Sequence, residues 1–173
     1  KALKLIESYC AQSTRLVDGI EPYPISLRGI NWIKFFCYQN VQNPKFDVIL
    51  FEHYCFLSDN LEYHLMGNHL LENGFSLLFG SYYFQNDKFY KKASTILRTE
   101  LDEQILKDGA HFELSPMYHQ ILLFRLLDCV NLLKNNRWKN DDLLHTLTKK
   151  AILMMGWLEA ITFRNGEVPM VND

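Results

Sequence analysis

Several kinds of site are missing from this sequence. Its four cysteines, Cys10, Cys37, Cys55 and Cys129, form no CxxC pair, so their spacing supplies no zinc ligand set. Buried free thiols are the expectation, with a disulfide left open. There is no HExxH, no GxSxG and no glycine-rich phosphate loop, which removes the zinc-protease, nucleophile-elbow and nucleotide-binding signatures. The carboxylates are not grouped as a glycosidase pair. Formal net charge is −2, with no basic field and no block of like charge, so nucleic acid is not an expected partner. No run of 18 apolar residues occurs, so no membrane span is expected.

What remains is a chain of 173 residues, 48% hydrophobic and 22% charged, within the range of one soluble globular domain. Aromatic residues are abundant: twelve Phe, nine Tyr and three Trp. Most are expected in a bulky core, and a minority would suit a groove that stacks on sugar rings. The chain starts at Lys1 without Met and stops at Val171-Asn172-Asp173, so it reads as a piece of a longer protein.

Apolar spacing of three and four residues predicts helices over about 1–17, 25–39, 46–57, 68–83, 88–106, 116–134 and 141–163, with a short turn over 61–66. Gly19, Pro22 and Pro24 are expected to break the chain before the second helix. Gly109 is expected to close the helix ending near Leu106, and Pro116 to open the next one. No segment before the tail from Glu167 alternates with period two, and no repeat of fixed length is present. The fold class is all-α. Short loops make consecutive helices antiparallel neighbours, and a bundle, a solenoid and a toroid all fit that pattern.

Three stretches concentrate polar chemistry. In Gly67-Asn68-His69-Leu70-Leu71-Glu72, Asn68 and Glu72 lie one turn apart, as do His69 and Glu72, beside a helix N-terminus that favours an anion. The same spacing fits a helix cap with a surface His69–Glu72 pair. In Asp108-Gly109-Ala110-His111-Phe112-Glu113-Leu114-Ser115-Pro116-Met117-Tyr118-His119, titratable groups crowd a loop leading into a helix, where functional residues often sit. The plainer alternative makes Tyr118 a core residue and His119 a solvated one. In Tyr23-Pro24-Ile25-Ser26-Leu27-Arg28-Gly29-Ile30-Asn31-Trp32, Arg28 suits carboxylate or sulfate recognition, or simply packs its stem on Trp32.

In order and in approximate spacing, these stretches resemble the N-terminal helical domain of the heparinase II/III-like polysaccharide lyases. The segments are Tyr-Pro-Ile-Ser-Leu-Arg with Asn-Trp-Ile-Lys (23–34), Asn-Leu-Glu-Tyr-His-Leu with Gly-Asn-His-Leu-Leu-Glu-Asn (60–73), and Asp-Gly-Ala-His-Phe-Glu with Ser-Pro-Met-Tyr-His (108–119). The resemblance implies an incomplete α/α toroid over residues 1–173, followed in full-length proteins by a β-sandwich region. It implies β-elimination on a uronic-acid-containing polysaccharide, whether glycosaminoglycan-like, alginate-like or a bacterial exopolysaccharide. It also implies a periplasmic or secreted location, an acidic polysaccharide as partner, and no metal or organic cofactor in this region. The family's amide–His pair matches Asn68 and His69, and its catalytic Tyr matches Tyr118. Arg28, Glu72 and Glu113 are then candidate substrate-binding residues. Leu114 stands where related sequences often carry Arg, and a further catalytic His or Tyr would come from a later part of the protein. The alternative reading is a non-catalytic carbohydrate-binding or scaffolding domain. A helical protein-interaction solenoid would instead scatter Asn68, His69 and Tyr118 over unrelated surfaces.

Overall fold

A computed structural model describes residues 1–65 and 68–172. Among them are the helices α1 (Ala2–Gln12), α2 (Pro22–Gln39), α3 (Pro44–Asp59), α4 (Asn68–Phe84), α5 (Asp87–Gln104), α6 (Pro116–Asn135) and α7 (Leu143–Ile161). Ser13–Arg15 add a 3-10 turn after α1, and the described residues contain no strand beyond an isolated bridge between Ile105 and His111. The turn expected over 61–66 reaches Met66, which with Gly67 lies outside the described residues.

Local chemistry accounts for most helix starts. Asn43 accepts the Lys45 N–H at 3.0 Å, Asn86 the Phe89 N–H at 3.0 Å, and Ser115 the Tyr118 N–H at 3.2 Å. Each side chain satisfies a donor that the first helical turn leaves free. Pro22, Pro44 and Pro116 open α2, α3 and α6. Pro22 and Pro24 therefore begin a helix instead of breaking the chain, because first-turn N–H groups have no helical partner to lose. Asn40 ends α2 in a left-handed conformation at φ 51°, its N–H returning to Phe36 O.

The helices are paired: α2 with α3, α4 with α5, and α6 with α7. The first members α2, α4 and α6 also pack on one another, with α4 between the other two. The result is an incomplete α/α toroid of antiparallel pairs whose first members all run one way. α4 is its axis, since every residue from Leu70 to Ser81 is buried. Small residues let its neighbours approach. A Cβ on Gly80 would lie 2.5 Å from the Tyr54 ring. That ring fills the space between α3 and α4, and its hydroxyl lies 3.2 Å from Ser76 Oγ.

α7 docks through α6 and the loop before it. His119 and His111 have no exposed surface. The His111 N–H donates to His119 Nδ1 at 3.3 Å, so His119 Nε2–H is the donor to Met154 O at 3.0 Å. His111 Nε2 meets Gln104 Oε1 at 3.3 Å. The solvated His119 expected from spacing is thus a buried strut. Gly109 also serves this docking. It sits beyond the end of α5 at φ +94°, and a Cβ there would lie 2.1 Å from Leu153 O; it is not the cap of the preceding helix. The cysteines are free, but only Cys129 is buried and Cys37 is exposed, so the expectation of buried thiols holds for Cys129 alone. No helix among the described residues is long and apolar enough to cross a membrane.

Two consequences can be measured. Gly80→Ala forces Tyr54 off its seat, and the expected loss is about 1–3 kcal/mol, seen as a lower midpoint in thermal or urea unfolding. Burial, assisted by His119, pushes the His111 pKa down to about 4, against about 6.5 in an unfolded chain. The unfolded state therefore binds the extra proton first as pH falls. His111's share of stability is intact above about pH 6.5 and drains away toward pH 4, by at most about 3 kcal/mol. His111→Asn should lower the melting temperature at neutral pH and flatten its decline between pH 6.5 and 4. An unchanged slope would count against the buried neutral imidazole.

Candidate active site

Tyr23 stands in the first turn of α2, Asn68 and His69 in that of α4, and Tyr118 in that of α6. Because these helices run the same way, their N-terminal ends converge, each with free N–H groups and a partial positive charge. The cleft between them has a volume of about 320 Å3 and is lined by Tyr23, Asn68, His69, Glu72, Phe75, Glu113, Tyr118, Ile121 and Leu122. Five of the six site residues singled out from the sequence, Asn68, His69, Glu72, Glu113 and Tyr118, share this one cleft. That is the opposite of the scattering expected of an interaction solenoid.

Arg28 is not in the cleft wall. Its guanidinium lies over the Tyr9 ring at 4.3 Å, and Nη2 donates to Gly19 O at 2.5 Å. It braces α2 against α1, and the substrate contact expected of Arg28 is not made in this cleft.

His69 is held by groups the spacing did not suggest. Its Nδ1 lies 3.3 Å from Glu62 Oε1, and its ring sits 4.6 Å from that of Tyr23. The expected His69–Glu72 pair is absent: His69 faces Glu62, and Glu72 faces Arg125, whose Nε is 2.9 Å from Glu72 Oε1. A carboxylate on Nδ1 fixes the imidazole's orientation and leaves Nε2 for the cleft. Glu62 is itself fixed. Its Oε2 accepts from Asn73 Nδ2 at 2.9 Å, and its backbone N–H donates to Asn73 Oδ1 at 3.1 Å. Asn73 also donates to Ser26 Oγ at 3.1 Å, and Ser76 donates to Ser26 O at 3.0 Å. Ser26, Asn73 and Ser76 are fully buried, so the chain Ser26–Asn73–Glu62–His69 ties α2, α4 and the segment before α4 into one unit.

Electrostatics under the cleft favour a neutral, donating Tyr23 phenol. Burial pushes the Glu72 carboxyl above the ordinary carboxylate range, with Arg125 opposing the shift. Burial, reinforced by the Glu72 charge, raises the Tyr23 phenol and keeps it protonated. Tyr118 is 37% exposed, reachable by a ligand and held on a capped helix turn. Asn68 Oδ1 is buried and has no partner among the described residues, which leaves this amide oxygen with hydrogen-bonding capacity to spare there. Leu114 is half exposed at φ 54°. The cation that pairs with the cleft wall is Arg125, seven residues after Tyr118 and on the same side of α6. That spacing could have marked it in the sequence; no local signal links Glu62 to His69.

Fold and cleft together define an incomplete α/α-toroid domain with a polar cleft at the N-terminal ends of its first-member helices. The chain belongs to the Heparinase II/III N-terminus family, whose sequence model matches residues 36–173. The match takes in the second and third motif stretches and begins after Tyr23–Lys34. Among solved structures the chain is similar to heparan sulfate lyase HepC from Pedobacter heparinus, with 24% identity and a TM-score of 0.61 over 86% of this chain and 25% of that chain. This chain thus spans about a quarter of that lyase. No curated protein sequence matches it.

The clamp beneath His69 yields a direct test. Asn73→Ala takes their Asn73 partner from the Glu62 N–H, Glu62 Oε2 and Ser26 Oγ, for an expected loss of about 1–3 kcal/mol. A melting temperature equal to wild type would show that the clamp holds nothing.

Proposed function

We propose that this domain carries the main catalytic residues of a polysaccharide lyase that cleaves a uronic-acid-containing polymer by β-elimination. The observation carrying this reading is the convergence of an amide, an imidazole and a phenol, Asn68, His69 and Tyr118, on one cleft at three helix N-termini. Membership of the heparinase II/III-like family supports it.

In a uronate, the C5 proton lies next to a carboxylate, whose charge makes that proton weakly acidic. Its removal puts further negative charge on the carboxylate oxygens. Donors fixed at those oxygens stabilise the charge as it grows, and one such donor is worth roughly 3–4 kcal/mol of barrier. Asn68 and His69 take this role, with the helix ends adding positive potential. A base removes the C5 proton, the C4–C5 double bond forms, and the C4–O4 bond breaks. The leaving O4 takes a proton from Tyr118. A free Tyr has a pKa of about 10, so it serves as an acid at neutral pH without adjustment. The base is a His or Tyr from another part of a longer protein. In a syn elimination it is instead Tyr118 itself, starting as the phenolate, which takes the C5 proton and returns it to O4; this needs positive charge or hydrogen bonds to favour the phenolate. Glu72 and Glu113 act as substrate contacts. The reading includes a following β-rich region and a periplasmic or secreted setting.

The test uses the full-length protein on a panel of glycosaminoglycan, alginate and bacterial uronate polymers, following unsaturated product by ultraviolet absorbance. One polymer should be cleaved, and Tyr118→Phe should lower kcat by about 10²-fold or more. A Tyr118→Phe enzyme with normal product release would refute the assignment. Binding without cleavage by wild type would favour the carbohydrate-binding alternative.

A further inference from the structure

A second groove runs between α2 and α6, with a volume of about 440 Å3 and lined by Asn31, Gln120, Ile121, Phe124 and Arg125. Ile121 also lines the cleft, so the two spaces adjoin along one face of α6. From Tyr118 to Phe124 the helix advances about 9 Å, roughly the length of a disaccharide repeat in an extended polysaccharide.

We propose that this groove is a subsite for the second sugar along from the one in the cleft, beyond the reach of a disaccharide, and that it reads an uncharged face of that sugar; the proposal rests on the lyase reading above. Phe124 is 59% exposed, an open aromatic face against which the C–H side of a pyranose would stack. Asn31 and Gln120 are exposed amides beside it, suited to hydroxyl groups as both donors and acceptors. Gln120 Nε2 donates to Pro116 O at 3.2 Å, which leaves its carbonyl oxygen to accept.

The charges decide what this subsite rejects. Two cations border it, and each is matched by a carboxylate. Arg125 Nε is 2.9 Å from Glu72 Oε1, and Lys34 Nζ is 2.7 Å from Asp128 Oδ2 while lying 5.3 Å from the centre of the Phe124 ring. A sulfate here would meet only cations already paired with carboxylates. Hydroxyls would meet the Asn31 and Gln120 amides. The preferred occupant is therefore a sugar ring without sulfate at this position.

The experiment uses full-length protein in a Tyr118→Phe background, so that ligands are not turned over. Calorimetric affinities are measured for di- and tetrasaccharides of the uronate polymer that wild type cleaves, with and without sulfate. The tetrasaccharide should bind more tightly than the disaccharide. Phe124→Ala should remove about tenfold of that advantage and leave disaccharide affinity unchanged. Phe124→Tyr keeps the ring and should retain the advantage, which separates stacking from a folding defect. Sulfate on the ring that lies in the groove should not improve binding. An active wild type whose tetrasaccharide advantage survives Phe124→Ala, or grows with sulfation there, overturns the subsite alone. A wild type that cleaves and binds no uronate polymer overturns the lyase reading and the subsite with it.

Discussion

Asn73 has no contact with solvent, yet it holds Glu62 at both its backbone N–H and its carboxylate and reaches Ser26 on another helix. A buried amide is costly unless its donors and acceptors are paired. The pairing found here prescribes where α2 and the segment before α4 must lie relative to α4. His69 inherits its position from that requirement, because Glu62 Oε1 is the oxygen that Asn73 does not use. The cleft is therefore anchored by a polar contact inside the core instead of by the loops at its rim.

Around this anchor the toroid supplies direction. Pairing each helix with an antiparallel partner makes α2, α4 and α6 run the same way, and their N-terminal ends meet. Each end brings unsatisfied N–H groups and positive potential to a site whose proposed ligand is a carboxylate. The buried Glu72–Arg125 pair lies behind it. Removing either member alone would leave a charge in a low-dielectric setting, which costs far more than the pair contributes. The two ions thus constrain one another and keep the wall between cleft and groove in one arrangement.

Much of the fold was legible along the chain. Helix periodicity located the segments that became α2 to α7 within a few residues, and Pro116 marked the start of α6. The first-turn positions of Asn68 and Tyr118 followed from the same pattern. The errors have a common origin. His119 was expected in solvent because its neighbours in sequence are polar, but its partner, Met154 O, is 35 residues away. Gly109 looked like a helix cap, although its conformation answers to the approach of Leu153 on α7. Arg28 sits in a motif with Tyr23, yet the two side chains leave α2 on different sides, one toward α1 and one toward the cleft.

The sequence by itself determined the helices and which residues occupy the first turns facing the cleft, because hydrogen bonding and side-chain period within a helix act over three or four residues. Only the tertiary structure decided that His69 answers to Glu62, that Glu72 answers to Arg125, that Tyr23 joins the site and that Arg28 leaves it. Those pairings depend on how separate helices rotate and approach one another. That choice is made by close packing around residues such as Tyr54 and by the need to satisfy buried polar groups, neither of which has a period in the sequence.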